Sequence, residues 1–316
     1  VIAFVFPGQG AQHVGMGVQL AEQFPSARRV FEDASEAVGL DLLDLCRTGP
    51  EERLRATEHT QPAILTCSAA VMAVLADHGV RPQLAAGLSL GEYTALVAAS
   101  AITLADAARV VRQRGRLMQE AAARRQTAMA AVLGLDADRV VEICRAIPGM
   151  VEAANFNAPG QVVIAGDVDA VESACQRLRD AGARRAVRLA VSAPFHTSLM
   201  RPAAEALAPV LRATRIVPPS IPVVSNVTAQ PAADPEAIRA ALIEQVASPV
   251  RWEQSVRTLR RLGGSLFVEA GPGTTLAGLI RRTVPEATVA SVENPATLAA
   301  ALPVLRAAVD AVNSPA

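Results

Sequence analysis

The chain has 316 residues, 51% of them hydrophobic and only 3% aromatic, with 30 basic and 30 acidic side chains. Such a composition supports a large buried core and excludes a disordered chain, and the balanced charge gives no overall field toward nucleic acid or a membrane surface. Every basic residue is arginine, so local arginine clusters remain available to phosphates or acidic partners.

The opening stretch, 2–6, is an apolar strand that runs into Pro7-Gly8-Gln9-Gly10, a loop too rich in glycine to continue it. It is too short for a signal core and has no basic leader. No later segment approaches a membrane-spanning run, so a cytosolic protein is expected. Helical patterns follow at 18–24, 27–36 and 62–77, then a strand at 84–88. Gly87-Leu88-Ser89-Leu90-Gly91 spells G-x-S-x-G between that strand and a helix near 92–99. The glycines allow a turn sharp enough to leave Ser89 Oγ at its tip, and the Leu90 amide at the helix start is placed to stabilise an oxyanion. A further helix covers 104–121.

After Arg125 the rhythm changes. Strand 129–133, helix 136–147, strands 151–155 and 161–165, helix 169–181 and strand 186–191 follow in the order β-α-β-β-α-β of a ferredoxin-like unit. Asn157-Ala158-Pro159-Gly160 is expected to turn between the middle strands. This places a small inserted subdomain at 126–191, with a larger body at 1–125 and 192–316. The body resumes with helix 199–212, strand 222–225, helices 235–246 and 251–262, and strand 265–269. Gly271-Pro272-Gly273 makes a tight loop before helix 274–283 and strand 287–291. Strands alternating with helices predict an α/β fold whose parallel sheet is covered on both faces.

Cys46, Cys67, Cys144 and Cys175 have neither metal-ligand nor disulfide-framework spacing, and three of them, within helix-like apolar stretches, read as buried thiols. A serine nucleophile needs a base. His78 stands beside Gly79 at a helix end and reads as a cap, while His13 and His59 fall in loops. His196 follows a strand end and precedes a helix, where a rigid scaffold presents reactive groups, and is the best candidate. No third acid is evident: Asp167 and Asp169 lie in the insert, and Glu92 is expected to point along its helix. A Ser–His pair held by backbone carbonyls accounts for the absence as well as a hidden acid does, and the pair is the favoured reading.

Ordered landmarks then run the length of the chain: Phe6-Pro7-Gly8-Gln9-Gly10, Thr60-Gln61-Pro62-Ala63, Gly87 to Tyr93, Arg114-Gly115, Asn155-Phe156-Asn157, Gly160 to Gly166, Phe195-His196, Ser225-Asn226-Val227, Pro249 to Trp252, and Glu269 to Gly273. In these the sequence resembles the malonyl-CoA:acyl-carrier-protein transacylases and the acyltransferase domains of polyketide synthases. The resemblance implies an α/β-hydrolase-like body with a ferredoxin-like insert. It implies that Ser89 carries the acyl group, that His196 is its base, and that the amides of Gln9 and Leu90 form the oxyanion hole. Arg114 would bind the free carboxylate of a malonyl-type group, although Arg112-Gln113-Arg114-Gly115-Arg116 by itself reads as a solvated helix face. Gln61, Asn157 and Gln161 would line the pocket. Leu88 stands where most relatives carry histidine, and Phe195 leans toward malonyl over a branched acyl group, a discrimination worth about 1–3 kcal/mol per methyl.

The implied activity is ping-pong acyl transfer from CoA to the phosphopantetheine thiol of an acyl carrier protein, in fatty-acid or polyketide synthesis. No cofactor beyond the CoA thioester substrate and no metal is implied. The expected partners are the acyl-CoA donor and the carrier, with Arg116, Arg124, Arg125, Arg281 and Arg282 as docking candidates; a monomer is expected, without nucleic acid or membrane. Rival readings are an acyl-thioester hydrolase on the same scaffold, an idle carrier-binding module, and a transacylase for a bulkier acyl group.

Overall fold

A computed structural model describes residues 1–189 and 193–313. Two sheets organise it. The first contains β1 (Ile2–Phe6), β2 (Leu84–Gly87), β7 (Val223–Val224), β8 (Leu266–Ala270) and β9 (Thr288–Val292), in the order β7-β2-β1-β8-β9 with every pairing parallel. Every residue of β1, β2 and β8 is buried, as a sheet covered on both faces requires. Phe4 faces Ala85 on one side and Val268 on the other, which puts β1 at the centre.

The connection from β1 to β2 holds more helix than the hydrophobic pattern suggests, since Leu42–Thr48 and Glu51–Arg55 also form short helices. The helix Thr57–Asp77 corrects the expectation that nothing approaches a membrane-spanning run. Its best 18-residue window reaches a mean hydropathy of 1.3, and 78% of that window is buried inside the protein. Pro25–Val38 and Leu104–Ala122 pack against it, so it is apolar nearly all round because protein surrounds it.

The second sheet contains β3 (Thr127–Leu133), β4 (Val151–Ala158), β5 (Gln161–Asp167) and β6 (Arg185–Arg188), in the order β4-β5-β3-β6 with every pairing antiparallel. That is the strand order of a ferredoxin-like unit. Helices Ala137–Arg145 and Val168–Asp180 cover one face over a core that includes Val132, Val162 and Ile164. The other face, with Met129, Ala154, Val163 and Ala165, packs against Leu189 and Phe195.

β4 runs through Asn157 and Ala158, which the sequence placed in a turn; Pro159 and Gly160 alone turn the chain, with Gly160 at φ +67°. The extension has a physical reason. Phe156 N donates to Val250 O and Val250 N to Ala154 O, both at 2.9 Å, so the body covers the open edge of β4 and keeps it extended. β6 ends at Arg188, and the last residues of the strand expected over 186–191 lie outside the described residues.

Candidate active site

β1 and β2 end at adjacent loops. After Gly87 the chain turns at Ser89, held at φ +54°, and enters the helix Gly91–Ala98. A non-glycine residue in the left-handed region costs about 1–3 kcal/mol and persists only where its surroundings fix it. Here Asn226 Oδ1 accepts Ser89 N at 2.6 Å while Asn226 Nδ2 donates to Gly87 O at 2.7 Å. On the other side Gln245 Nε2 donates to Ser89 O at 3.0 Å. Gly91 lies so close under β1 that a Cβ there would stand 2.1 Å from Phe6 O. Alanine at that position would push the turn off the sheet.

His196, also at positive φ (+62°), brings Nε2 to 2.7 Å from Ser89 Oγ. Its Nδ1 lies 2.9 Å from Gln245 O. A carbonyl only accepts, so the proton sits on Nδ1 and the Nε2 lone pair faces the serine hydroxyl. Burial pushes the His196 pKa down to about 4; the charge of Arg114 pushes the same way, and backbone contacts from Gln245 and Ser248 oppose it. The imidazole is therefore neutral and ready to take a proton throughout the neutral range. Neither carboxylate considered in the insert serves it: Asp167 pairs with Arg125, and Asp169 lies in the first turn of the helix Val168–Asp180.

Arg114 does not lie on a solvated face. It is 1% exposed, its Nη1 donates to Gln61 Oε1 at 2.9 Å, and its Nη2 donates to Ser89 Oγ at 3.0 Å and Gln245 Oε1 at 2.9 Å. Val110, Arg114 and Met118 recur every fourth residue along one buried face of Leu104–Ala122, a spacing that could have shown Arg114 to face inward. Gly115 permits the close approach, because a Cβ there would lie 2.4 Å from Thr57 O at the start of the neighbouring helix. The guanidinium also lies over the Tyr93 ring, 5.7 Å from its centroid. Burial lowers its pKa, and Nε finds no partner. A fixed buried cation with a spare donor thus stands beside the serine hydroxyl.

The other expected residues divide. Gln61 is 1% exposed and holds Arg114, and Phe195 and Leu88 pack at the site's margins. The amides of Gln9 and Leu90 find no acceptor among the described residues. Asn157 Oδ1 is buried and unpartnered. Gln161 goes elsewhere: its Oε1 accepts Arg282 Nη1 at 2.6 Å on the surface, because it opens β5 beside the turn. Of the arginines expected at a docking face, Arg116 pairs with Glu120, Arg125 with Asp167, and Arg281 donates to Val289 O. His78 caps its helix, and His13 pairs with Glu293. The four cysteines are free and buried. No cluster of three or more metal-ligating side chains exists among the described residues.

Sequence reasoning missed Gln245 and gave Asn226 no role beyond its place in a landmark, although these residues tie the site together, and it misplaced Glu92, which turns inward to accept Asn226 N at 3.1 Å and Gln245 Nε2 at 2.7 Å. Gln245 had a readable signal: Ile238, Leu242 and Gln245 continue one buried stripe, and a polar residue there has to find partners inside.

An acyl transferase domain model matches residues 3–311. A malonyl CoA-acyl carrier protein transacylase of Bacillus subtilis is 43% identical over 96% of this chain and 97% of its own length. The corresponding protein of Escherichia coli K12 is 46% identical over 95% and 98%. The crystal structure of malonyl-CoA:acyl carrier protein transacylase from Xanthomonas oryzae matches with a TM-score of 0.93 at 46% identity, covering 96% of this chain and 98% of that one. A malonyl-transacylase solved in complex with its type II PKS acyl-carrier protein also matches at 0.93, with 44% identity over 96% and 99%. This chain belongs to the acyl transferase domain family, over nearly its whole length.

Proposed function

We propose that this chain transfers a malonyl group from CoA to the phosphopantetheine thiol of an acyl carrier protein through an ester on Ser89. The observation that carries the reading is the buried Arg114 guanidinium, 3.0 Å from Ser89 Oγ and surrounded by neutral partners. A buried cation whose direct hydrogen-bond partners are all neutral is costly, and an acyl group that brings its own carboxylate reduces that cost where a neutral one does not. The planar guanidinium also fixes the orientation of a carboxylate that it binds.

In this reading the Ser89 proton passes to His196 Nε2 as Oγ attacks the thioester carbonyl. The amides of Gln9 and Leu90 receive the oxyanion. The carbon–sulfur bond breaks, and the proton on Nε2 leaves with the CoA thiol. The carrier thiol then gives its proton to His196 and attacks the ester, and Ser89 recovers the proton as the second thioester forms. Residues 1–125 and 192–316 carry this chemistry, and the insert 126–191 supplies a wall through the face that packs on Phe195.

Intact-protein mass spectrometry after brief mixing with malonyl-, methylmalonyl- and acetyl-CoA tests the proposal, with Ser89→Ala as control. The expected result is a malonyl adduct on the wild type alone, discharged by a carrier protein. Preferential acetyl labelling would remove the role of Arg114. Free CoA accumulating without an adduct would indicate a hydrolase.

A further inference from the structure

Glu92 has no part in the transfer as described, yet it is 4% exposed directly beneath the site, in the first turn of the helix that follows the nucleophile. Two donors converge on one of its oxygens. Oε2 accepts Gln245 Nε2 at 2.7 Å and the Asn226 amide at 3.1 Å. Those two residues hold the strained serine from opposite sides, Asn226 at Ser89 N and Gln245 at Ser89 O. Gln245 also presents Oε1 to Arg114 and its backbone carbonyl to His196.

A glutamine amide has two unlike ends. Between a guanidinium, which only donates, and an oxygen that accepts, it settles one way round. Resting on the transfer reading above, we propose that Glu92 is a positioning residue: accepting the Gln245 amide hydrogen keeps Gln245 Oε1 turned to Arg114, and accepting the Asn226 amide keeps Ser89 in its reactive turn. The Arg114 guanidinium is then aimed by a residue it does not touch.

Burial pushes the Glu92 carboxyl up to about 7, against hydrogen bonds from Asn226, Gln245 and Ser225 and the field of Arg114. With both donors on Oε2, a proton on the other oxygen leaves them in place. The brace needs an acceptor at that point in space, not a negative charge, so an amide oxygen in the same position serves equally well.

The test compares Glu92→Gln, Glu92→Asp and Glu92→Met by the ratio of kcat/KM for malonyl-CoA to that for acetyl-CoA. Glutamine keeps the ratio within about twofold of the wild type. Aspartate, which keeps the charge but withdraws the oxygen by one methylene, lowers the ratio about tenfold or more, on the scale of a hydrogen bond to a charged group. Methionine does the same, and where it fails to fold aspartate carries the test. An unchanged ratio in the aspartate variant, even where both rates fall alike through the Ser89 turn, would overturn the proposal, since only the aiming of Arg114 separates the two donors. Absence of malonyl labelling in the wild type would instead remove the transfer reading, and the brace with it.

Discussion

In the body, parallel strands point their C-terminal ends the same way, so the loop after β1, the turn after β2 and the loop after β8 gather along one edge. In the insert, antiparallel strands send successive ends in opposite directions and gather nothing. Both halves bury apolar cores, yet Ser89 and the buried polar groups that hold it all come from the body. The insert contributes a wall, with Met129, Val163 and Ala165 behind Phe195. Loops on the carboxyl edge of a parallel sheet converge without any side chain having to reach far. Among the described residues the antiparallel unit has no non-glycine residue at positive φ, while the body has Ser100 and Ala229 there and, at the site, Ser89 and His196.

Substitutions should separate the halves by what they damage. His196→Ala is expected to lower kcat/KM for malonyl-CoA by about 10³-fold, measured as release of CoA thiol, with little change in the melting curve. A loss below tenfold would take the base away from His196. Arg114→Ala is expected to cost about a hundredfold with malonyl-CoA and much less with acetyl-CoA, and equal losses would break the link between the buried cation and the acyl group. Ile164→Ala in the insert core should do the reverse, destabilising by about 2–5 kcal/mol in denaturant while kcat of the folded protein holds. A collapse of kcat in that variant would show that the insert does more than stand as a wall.

The pH dependence sharpens the contrast, because the described buried groups whose shifted pKa values fall between about 4 and 7, His196, Glu92 and Glu269, belong to the body. His196 has its folded pKa depressed to about 4, so the acid limb of kcat/KM is expected near pH 4, not near 6.5. For stability, the unfolded chain takes up the His196 proton between those values and the folded one does not, so that contribution grows as pH rises from about 4 to 6.5. Glu92 and Glu269, both raised to about 7 by burial, act oppositely. Between 4.5 and 7 the folded state holds their protons and the unfolded chain releases them, so their contribution falls as pH rises. Glu269→Gln should flatten that decline in a series of melting curves, and an unchanged slope would show that Glu269 titrates normally. At the small end, Arg139→Ala on the insert surface removes a solvated pair with Glu142 and should move stability by less than about 0.5 kcal/mol.

The residues that sequence reading reached are those with a local signature. The turn around Ser89 needs glycine on both sides, and the β-α-β-β-α-β rhythm of the insert needs only alternation and length. Arg114 and Gln245 had weaker signatures, each a polar residue continuing an apolar stripe on its own helix. Gln161 shows the opposite failure, a residue in a family landmark whose side chain turns to Arg282 at the surface.

By itself, then, the chain determined the order of the strands and the longer helices and the glycine-flanked turn at Ser89, because backbone conformation and hydrophobic periodicity act over a few residues. Only the tertiary structure decided that Asn226, Gln245 and Glu92 form one network around Ser89. Its bonds join residues 137 and 156 positions apart, and no local pattern records which buried donor will meet which buried acceptor. Packing settles that, since each buried polar group has to find its partner wherever the folded chain brings one within reach.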